Sequence, residues 1–259
     1  MTRTVPVGGF DVGGDRFLVI AGPCVIETHE QLRTIAGEVH RRGATALRGG
    51  VFKMRTDPRS FQGLGAAALA FVDETRAETG LPFVAEVTSP EQIEVLVGHV
   101  DVLQVGSRNM HNTALLTALG KTRTPILLKR GLSARLDEWL LAADYILAGG
   151  NQAIILCERG IRTFETETRN TLDLAGAVWA RQRSPFPVLV DPSHATGQPD
   201  LVAPMCMAAA AAGLDGVIVE VHHESFRALS DGFQALTLDR FGAMTASLEP
   251  LLRILGRRL

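Results

Sequence analysis

Cysteine is scarce in this 259-residue chain, and Cys24, Cys157 and Cys206 are odd in number and widely spaced. That excludes the disulfide framework that staples many small secreted domains. Long apolar stretches are also missing: Ala66–Val72 and Ala208–Ala212 fall far short of the roughly 20 residues a membrane-spanning helix needs. The segment Met1–Asp15 has no basic flank leading into an apolar core, so no secretory leader is expected and the cytoplasm is the expected location. Neither sign of charge is in excess. The 26 basic and 28 acidic residues leave a net charge of −2, which argues against a nucleic-acid binder or a membrane-surface protein. No G-x-G-x-x-G loop occurs, which counts against a doubly wound dinucleotide-binding sheet. Lysine is the last shortage. Only Lys53, Lys121 and Lys129 stand among the 26 basic residues. Lysine is a compact, titratable point charge, and an arginine-biased composition with three survivors is the simpler explanation until their positions are considered.

What is present is an alternation. Short β-branched or apolar runs occur at Phe17–Gly22, Thr45–Phe52, Phe83–Val87, Val102–Val105, Ile126–Lys129, Ala153–Cys157, Val188–Val190 and Gly216–Val221. Helical patterns follow them at Glu30–Arg42, Phe61–Thr79, Pro90–Val97, Asn112–Leu119, Leu136–Ala148, Thr168–Gln182, Leu201–Ala212 and Leu238–Leu255. Thr28, Ser60, Ser89 and Asp200 are candidate helix caps. Eight strand–helix units predict an α/β fold, a single (β/α)8 or TIM barrel. The glycine-rich opening predicts a short N-terminal β-hairpin over residues 1–16, with the catalytic barrel over 17–259 and no separate regulatory domain.

A barrel of this kind places its reactive residues at the carboxyl ends of its strands. Here those ends read Gly22-Pro23-Cys24, Arg48 with Lys53-Met54-Arg55-Thr56, Glu86, and Ser107-Arg108-Asn109. They continue with Lys129-Arg130, Glu158-Arg159, Asp191-Pro192-Ser193-His194 and Glu220-Val221-His222-His223. Arg48, Lys53, Arg55, Arg108, Lys129 and Arg159 make a cationic set suited to phosphate and carboxylate oxygens. Two of the three lysines fall in it. Arg130 and Glu158 are expected to pair with each other. Cys24, His194, Glu220 and Asp231 form a mixed thiolate, imidazole and carboxylate set of the kind that holds a divalent metal. His222 and His223 are rival ligands, one of which should face the same side as Glu220. Cys157 and Cys206 are better placed in the core, and His111 lies close enough to shape the site.

Taken together, these segments resemble one family. Ala21-Gly22-Pro23-Cys24, Leu47-Arg48-Gly49-Gly50, Gly106-Ser107-Arg108-Asn109-Met110, Cys157-Glu158-Arg159-Gly160-Ile161-Arg162-Thr163-Phe164-Glu165, Val190-Asp191-Pro192-Ser193-His194 and Ala228-Leu229-Ser230-Asp231-Gly232 resemble the 3-deoxy-D-arabino-heptulosonate 7-phosphate (DAHP) synthases of the type I beta group. That group also contains the 3-deoxy-D-manno-octulosonate 8-phosphate synthases. The resemblance implies condensation of phosphoenolpyruvate with erythrose 4-phosphate and water, entering the shikimate pathway of aromatic amino acid biosynthesis. It implies one divalent metal on Cys24, His194, Glu220 and Asp231, with Mn, Fe, Co and Zn not distinguished. Phosphoenolpyruvate would be held by Arg48, Lys53, Ser107, Arg108, Lys129 and Arg159, and the aldose phosphate by Arg55, Thr56 and Asp191. Lys53, Cys24 and His194 would be catalytic, with Lys53 or a metal-bound water as proton donor. The expected partners are these two substrates and other copies of the chain, as a homotetramer or homodimer.

Within that resemblance, Cys24 and Lys53-x-Arg55-Thr56 follow the heptulosonate rather than the octulosonate form, which implies a four-carbon aldose phosphate. Three departures keep other readings in view: Met54 replaces the family's proline, Ser107 replaces an alanine, and Val221-His222-His223-Glu224-Ser225-Phe226 replaces a proline-containing loop. A specialised relative using another aldose phosphate is one alternative. A Schiff-base aldolase on Lys129 or Lys53 and a non-catalytic binding paralogue are the others.

Overall fold

A computed structural model describes residues 3–55 and 57–259. Thr56, expected at the aldose phosphate, lies outside the described residues. The chain opens with an antiparallel hairpin of β1 (Val5–Val7) and β2 (Phe10–Val12), turned through Gly8 and Gly9. Both glycines have positive φ, +54° and +79°, a conformation that suits residues without a Cβ.

Eight parallel strands follow: β3 (Leu18–Gly22), β4 (Ala46–Arg48), β5 (Phe83–Val87), β6 (Val102–Val105), β7 (Ile126–Lys129), β8 (Ile154–Glu158), β9 (Val188–Val190) and β10 (Gly216–Glu220). Each pairs with its sequence neighbour, and β10 pairs with β3 to close the barrel. The helices are α1 (His29–Arg41), α2 (Leu69–Thr79), α3 (Glu91–Leu96), α4 (Thr113–Gly120), α5 (Leu136–Ala148), α6 (Leu174–Arg183), α7 (Pro192–Thr196), α8 (Pro199–Ala211) and α9 (Leu238–Ile254). The expected (β/α)8 barrel and its N-terminal hairpin are both present. No helix among the described residues is long and apolar enough to cross a membrane.

The strands are buried on both faces, which explains their apolar character. Outward residues such as Val19, Leu47, Phe83, Leu128, Leu156 and Val219 pack in one cluster with the helices. Inward residues such as Ile20, Ala46, Val84, Leu127, Leu189 and Ile218 form a second cluster with Val5, Val7, Phe10 and Val12 of the hairpin. The hairpin therefore supplies apolar cover to one end of the barrel interior. At the other end the inward positions change character. Two residues on from the apolar positions stand Arg48, Glu86, Gln104, Lys129, Asp191 and Glu220, on the same face because strand side chains alternate.

The differences from the sequence pattern lie mostly at element boundaries. The predicted strand Thr45–Phe52 shortens to β4 because the chain turns at Gly49-Gly50, where a Cβ on Gly50 would sit 2.8 Å from the Cys24 carbonyl. The predicted helix over Phe61–Thr79 begins with a 3-10 turn at Gly65–Ala68 and becomes α-helical only at Leu69. The helix predicted from Thr168 begins at Leu174, capped by Asp173. Thr28 caps α1 as expected, whereas Asp200 lies inside α8 behind Pro199. The short helix α7 has no counterpart in the predicted elements. Asp191 caps it by accepting the His194 N–H at 2.9 Å, with Pro192 in the first turn.

Gly22 ends β3 with φ +153°, and a Cβ there would lie 2.2 Å from the Arg48 carbonyl oxygen. Gly22→Ala is therefore expected to cost about 1–3 kcal/mol through forced displacement of β4. In a domain of this size each kcal/mol lowers the thermal midpoint by roughly 2–4 °C. An unchanged midpoint would show that β4 yields freely at this point.

Candidate active site

The inward polar residues surround a cavity of about 440 Å³. Its cationic lining includes Arg48 from β4, Lys129 from β7, Arg108 from the turn after β6 and Arg159 from the end of β8. Lys53 and Arg55 reach it from the segment after β4. Arg48, Lys129 and Arg159 are buried. Three of the buried donors lining this cavity have no hydrogen-bond partner: Arg48 Nη1, Ser107 Oγ and Arg159 Nη1. A buried donor left unpaired costs on the order of 1–3 kcal/mol. Donors from three different strand ends converging on one cavity fit an anionic ligand. Burial also lowers the Arg159 pKa, and Arg169 opposes its charge further. An anion would relieve both effects.

Beside this cationic wall lies a cluster of potential metal ligands. One donor atom each from Cys24, His194, Glu220 and Asp231 lies within 4.8 Å of all the others. Four separate pieces of chain supply them: the turn after β3, helix α7, the end of β10 and the loop between β10 and α9. Cys24 Sγ is 3.2 Å from Asp231 Oδ2, and His194 Nε2 is 3.2 Å from Glu220 Oε1. Arg48 Nη2 is 3.3 Å from the same Glu220 oxygen, yet that buried oxygen receives no hydrogen bond. Burial pushes the Cys24 thiol up to about 12, and Glu220 adds to the effect. A divalent ion would satisfy the orphaned oxygen and displace the thiol proton. The residues therefore fit a divalent metal of the first transition row.

The supporting contacts favour the same geometry. His194 Nδ1 lies 2.8 Å from Asp191 Oδ2, which leaves Nε2 turned toward Glu220. Burial holds the imidazole pKa below its ordinary value despite Asp191 and Glu220, which favours the neutral ligand form. Burial opposes the Lys53 charge, but Cys24, Glu86 and Glu220 outweigh it, so the side chain is held as an ammonium. Its Nζ lies 2.9 Å from Cys24 Sγ and 3.8 Å from Asp231 Oδ2.

The cavity and its margin thus bring together Cys24, Arg48, Lys53, Arg55, Ser107, Arg108, Lys129, Arg159, His194, Glu220 and Asp231. Asp191 is placed differently from its expected role at the aldose phosphate. It is fully buried, paired with Lys129 and His194, and does not line the cavity. Its carboxylate is occupied by the Lys129 ammonium and the His194 imidazole. Arg130 pairs with Glu158 at 2.9 Å, as expected. Cys157 and Cys206 are buried in the core. His222 and His223 take no part in the ligand cluster. Beyond Val221 the chain bridges to Leu236 instead of continuing the strand, and His222 turns toward Gln31.

Three contributors were not singled out from the sequence. Arg162 and Arg169 line the cavity from the irregular segment after β8. Gln234, fully buried, donates to Glu220 Oε2 at 2.6 Å and accepts from Arg169 at 2.6 Å. No periodicity marks these positions; Arg162 stands within the Cys157–Glu165 segment of the family resemblance, and Arg169 is marked only by its location after a strand end.

A closed α/β barrel with a cationic cavity beside a sulfur, nitrogen and oxygen donor cluster defines a barrel enzyme built for polyanionic substrates. The particular family follows from comparison: the chain belongs to the DAHP synthetase I family, whose model matches residues 6–253. It is 43% identical over 252 residues to the phospho-2-dehydro-3-deoxyheptonate aldolase of Thermotoga maritima, spanning 97% of this chain and 75% of that protein. The crystal structure of the Thermotoga maritima DAHP synthase matches with a TM-score of 0.96 at 42% identity, over 99% of this chain and 75% of that one. The 2-dehydro-3-deoxyphosphooctonate aldolase of Geobacter sulfurreducens is 31% identical over 277 residues, covering 97% of this chain and 98% of that protein.

Asp191 orients a candidate ligand without touching the metal position itself. Asp191→Asn is expected to weaken Mn²⁺ binding by roughly 10–100-fold, the usual effect of losing the partner of a ligating histidine. Titration calorimetry checks this, and undiminished affinity would show that the Nδ1 contact does not orient the ring.

Proposed function

We propose that the protein condenses phosphoenolpyruvate with erythrose 4-phosphate and water, yielding DAHP and inorganic phosphate, as an enzyme of the shikimate pathway. The observation that carries this reading is the convergence of Arg48 Nη1, Ser107 Oγ and Arg159 Nη1, buried and unpartnered, on a cavity beside the four-donor cluster. Membership of the DAHP synthetase I family supports it independently.

Phosphoenolpyruvate carries a phosphate and a carboxylate, and Arg48, Ser107, Arg108, Lys129 and Arg159 would hold them. Arg55 and Thr56 would take the aldose phosphate, directing the aldehyde inward. Cys24, His194, Glu220 and Asp231 would hold one divalent ion, which when bound supplies Lewis acidity to the aldehyde oxygen. Carbon 3 of phosphoenolpyruvate bonds to the aldehyde carbon, whose oxygen then needs a proton. The Lys53 ammonium, held between Cys24 and Asp231, is the donor on this reading. Water adds at carbon 2, and breaking of the carbon–oxygen bond to phosphate leaves the 2-keto product. Asp191 acts behind this set by positioning Lys129 and His194.

A Schiff base would require a neutral amine. Lys129 is instead paired with Asp191, and Lys53 is held as an ammonium, so both argue against that alternative. One observation favours a different aldose phosphate: Met54, in place of the family's proline, lines the cavity between Lys53 and Arg55. We also infer a homodimer or homotetramer, for which the exposed Phe226, Leu229 and Phe233 beyond β10 offer apolar surface.

Phosphate release from phosphoenolpyruvate is expected to require erythrose 4-phosphate, to stop with a chelator and to return with Mn²⁺. Release only with another aldose phosphate would establish the specialised reading, and no release with any would sink both. Arg159→Ala is expected to raise the KM for phosphoenolpyruvate by about tenfold or more, the consequence of losing a charged hydrogen bond. Its effect on the aldose KM should be small. Equal effects on both substrates would refute the assignment of Arg159.

A further inference from the structure

The loop after β10 carries Ser230 and Asp231, and also the histidine pair that the site leaves unused. His222 is buried, with contacts on both edges of its ring. Its Nδ1 accepts the backbone N–H of Glu224 at 3.0 Å. Its Nε2 lies 3.0 Å from Gln31 Nε2 and 3.8 Å from Glu27 Oε1. With Nδ1 accepting, a neutral imidazole carries its proton on Nε2. The Gln31 amide is fixed the wrong way round to receive it. Its oxygen already accepts the Glu27 N–H at 3.0 Å, and its nitrogen faces the Val25 carbonyl at 3.4 Å. Glu27 Oε1, at 3.8 Å, neighbours that edge of the ring without a hydrogen bond to it.

The same Glu27 oxygen accepts the backbone N–H of Leu229 at 2.8 Å, two residues before Asp231. Glu27 itself lies three residues after Cys24. It thus joins two segments that each carry one member of the donor cluster. Asp231 needs such support. Its φ of +53° makes it the only non-glycine residue with positive φ among the described residues, a conformation that persists only where its surroundings impose it.

We propose that Glu27 is a positioning residue for the metal cluster, clamping the Leu229 backbone to the segment after Cys24 and so setting the Cys24–Asp231 separation. This rests on the reading that Cys24, His194, Glu220 and Asp231 hold a divalent ion. Among the described residues, Glu27's own side-chain contacts are to Leu229 and His222, and none is to Arg48, Lys129 or Arg159.

Calorimetric titration with Mn²⁺, alongside phosphoenolpyruvate binding without metal and a thermal midpoint, tests the proposal on the full chain. Glu27→Ala is expected to bind Mn²⁺ roughly 10–100-fold more weakly, the range for loss of a supporting contact around a metal. Phosphoenolpyruvate affinity should be unchanged. Glu27→Asp, gentler on folding, is one methylene too short to reach Leu229 and should behave like Glu27→Ala. Glu27→Gln keeps a carbonyl acceptor for the Leu229 N–H and should stay near the unaltered protein. Mn²⁺ affinity in Glu27→Ala or Glu27→Asp equal to the unaltered protein would overturn the clamp. So would equal losses of Mn²⁺ and phosphoenolpyruvate affinity, or a Glu27→Gln variant as weak as Glu27→Ala. Failure of the unaltered protein to bind Mn²⁺ would bring down the metal reading and this inference with it.

Discussion

Charges buried at the open end of the barrel must meet partners, because an isolated charge in that setting is heavily penalised. Much of the site follows from how this requirement is met. Lys129 and His194 share Asp191, Glu158 and Asp173 share Arg130, and Arg48 lies beside Glu220. Apart from Asp191–His194, which lie three residues apart, each contact couples residues from different strand–helix units, so the charge pairing also ties the barrel mouth together. The apolar cluster beneath, filled by inward residues and the hairpin, keeps these charges at one end of the interior.

Pairing is incomplete in two places, and they differ in sign. On one side, donors of Arg48, Ser107 and Arg159 remain without acceptors; on the other, an oxygen of Glu220 remains without a donor. The first deficit asks for an anion and the second for a cation. On the proposed reading, a reaction joining a phosphorylated enol to an aldehyde would use both: the anion seat would fix one reactant, and a cation in the second seat would act on the other. Lys53 stands at the boundary, against Cys24 and Asp231 on one side and the cavity on the other. That location gives the retained lysine a chemical reason.

The residues around the donor cluster show how its geometry is held. Asp191 sets the His194 ring, Gln234 holds the second oxygen of Glu220, and Ser230 lies 3.3 Å from Cys24 Sγ. Arg169 reaches both Gln234 and Asp231, linking the segment after β8 to the loop after β10. Supporting residues of this kind fix ligand orientation as much as the ligands themselves do. They come from loops, whose conformations depend on everything around them.

The sequence alone determined the barrel, because eight apolar runs alternating with helical patterns leave few other arrangements, and strand ends rich in charge mark the functional end. It also determined the donor types, since Cys24, His194 and Glu220 stand at or near strand ends and Asp231 in a recognisable motif. Tertiary structure alone decided what each polar residue faces. Asp191 and Arg48 sit at equivalent strand-end positions, yet one is sealed between Lys129 and the His194 imidazole and the other keeps a free donor in the cavity. His222 follows Glu220 by two residues, the spacing that would bring it to the same side, but the chain leaves the sheet at Val221 and the ring turns to Gln31 and Glu27. Periodicity governs direction only while a strand continues. Past the last ladder bond, direction is set by contacts between loops distant in sequence, and neither spacing nor composition encodes them.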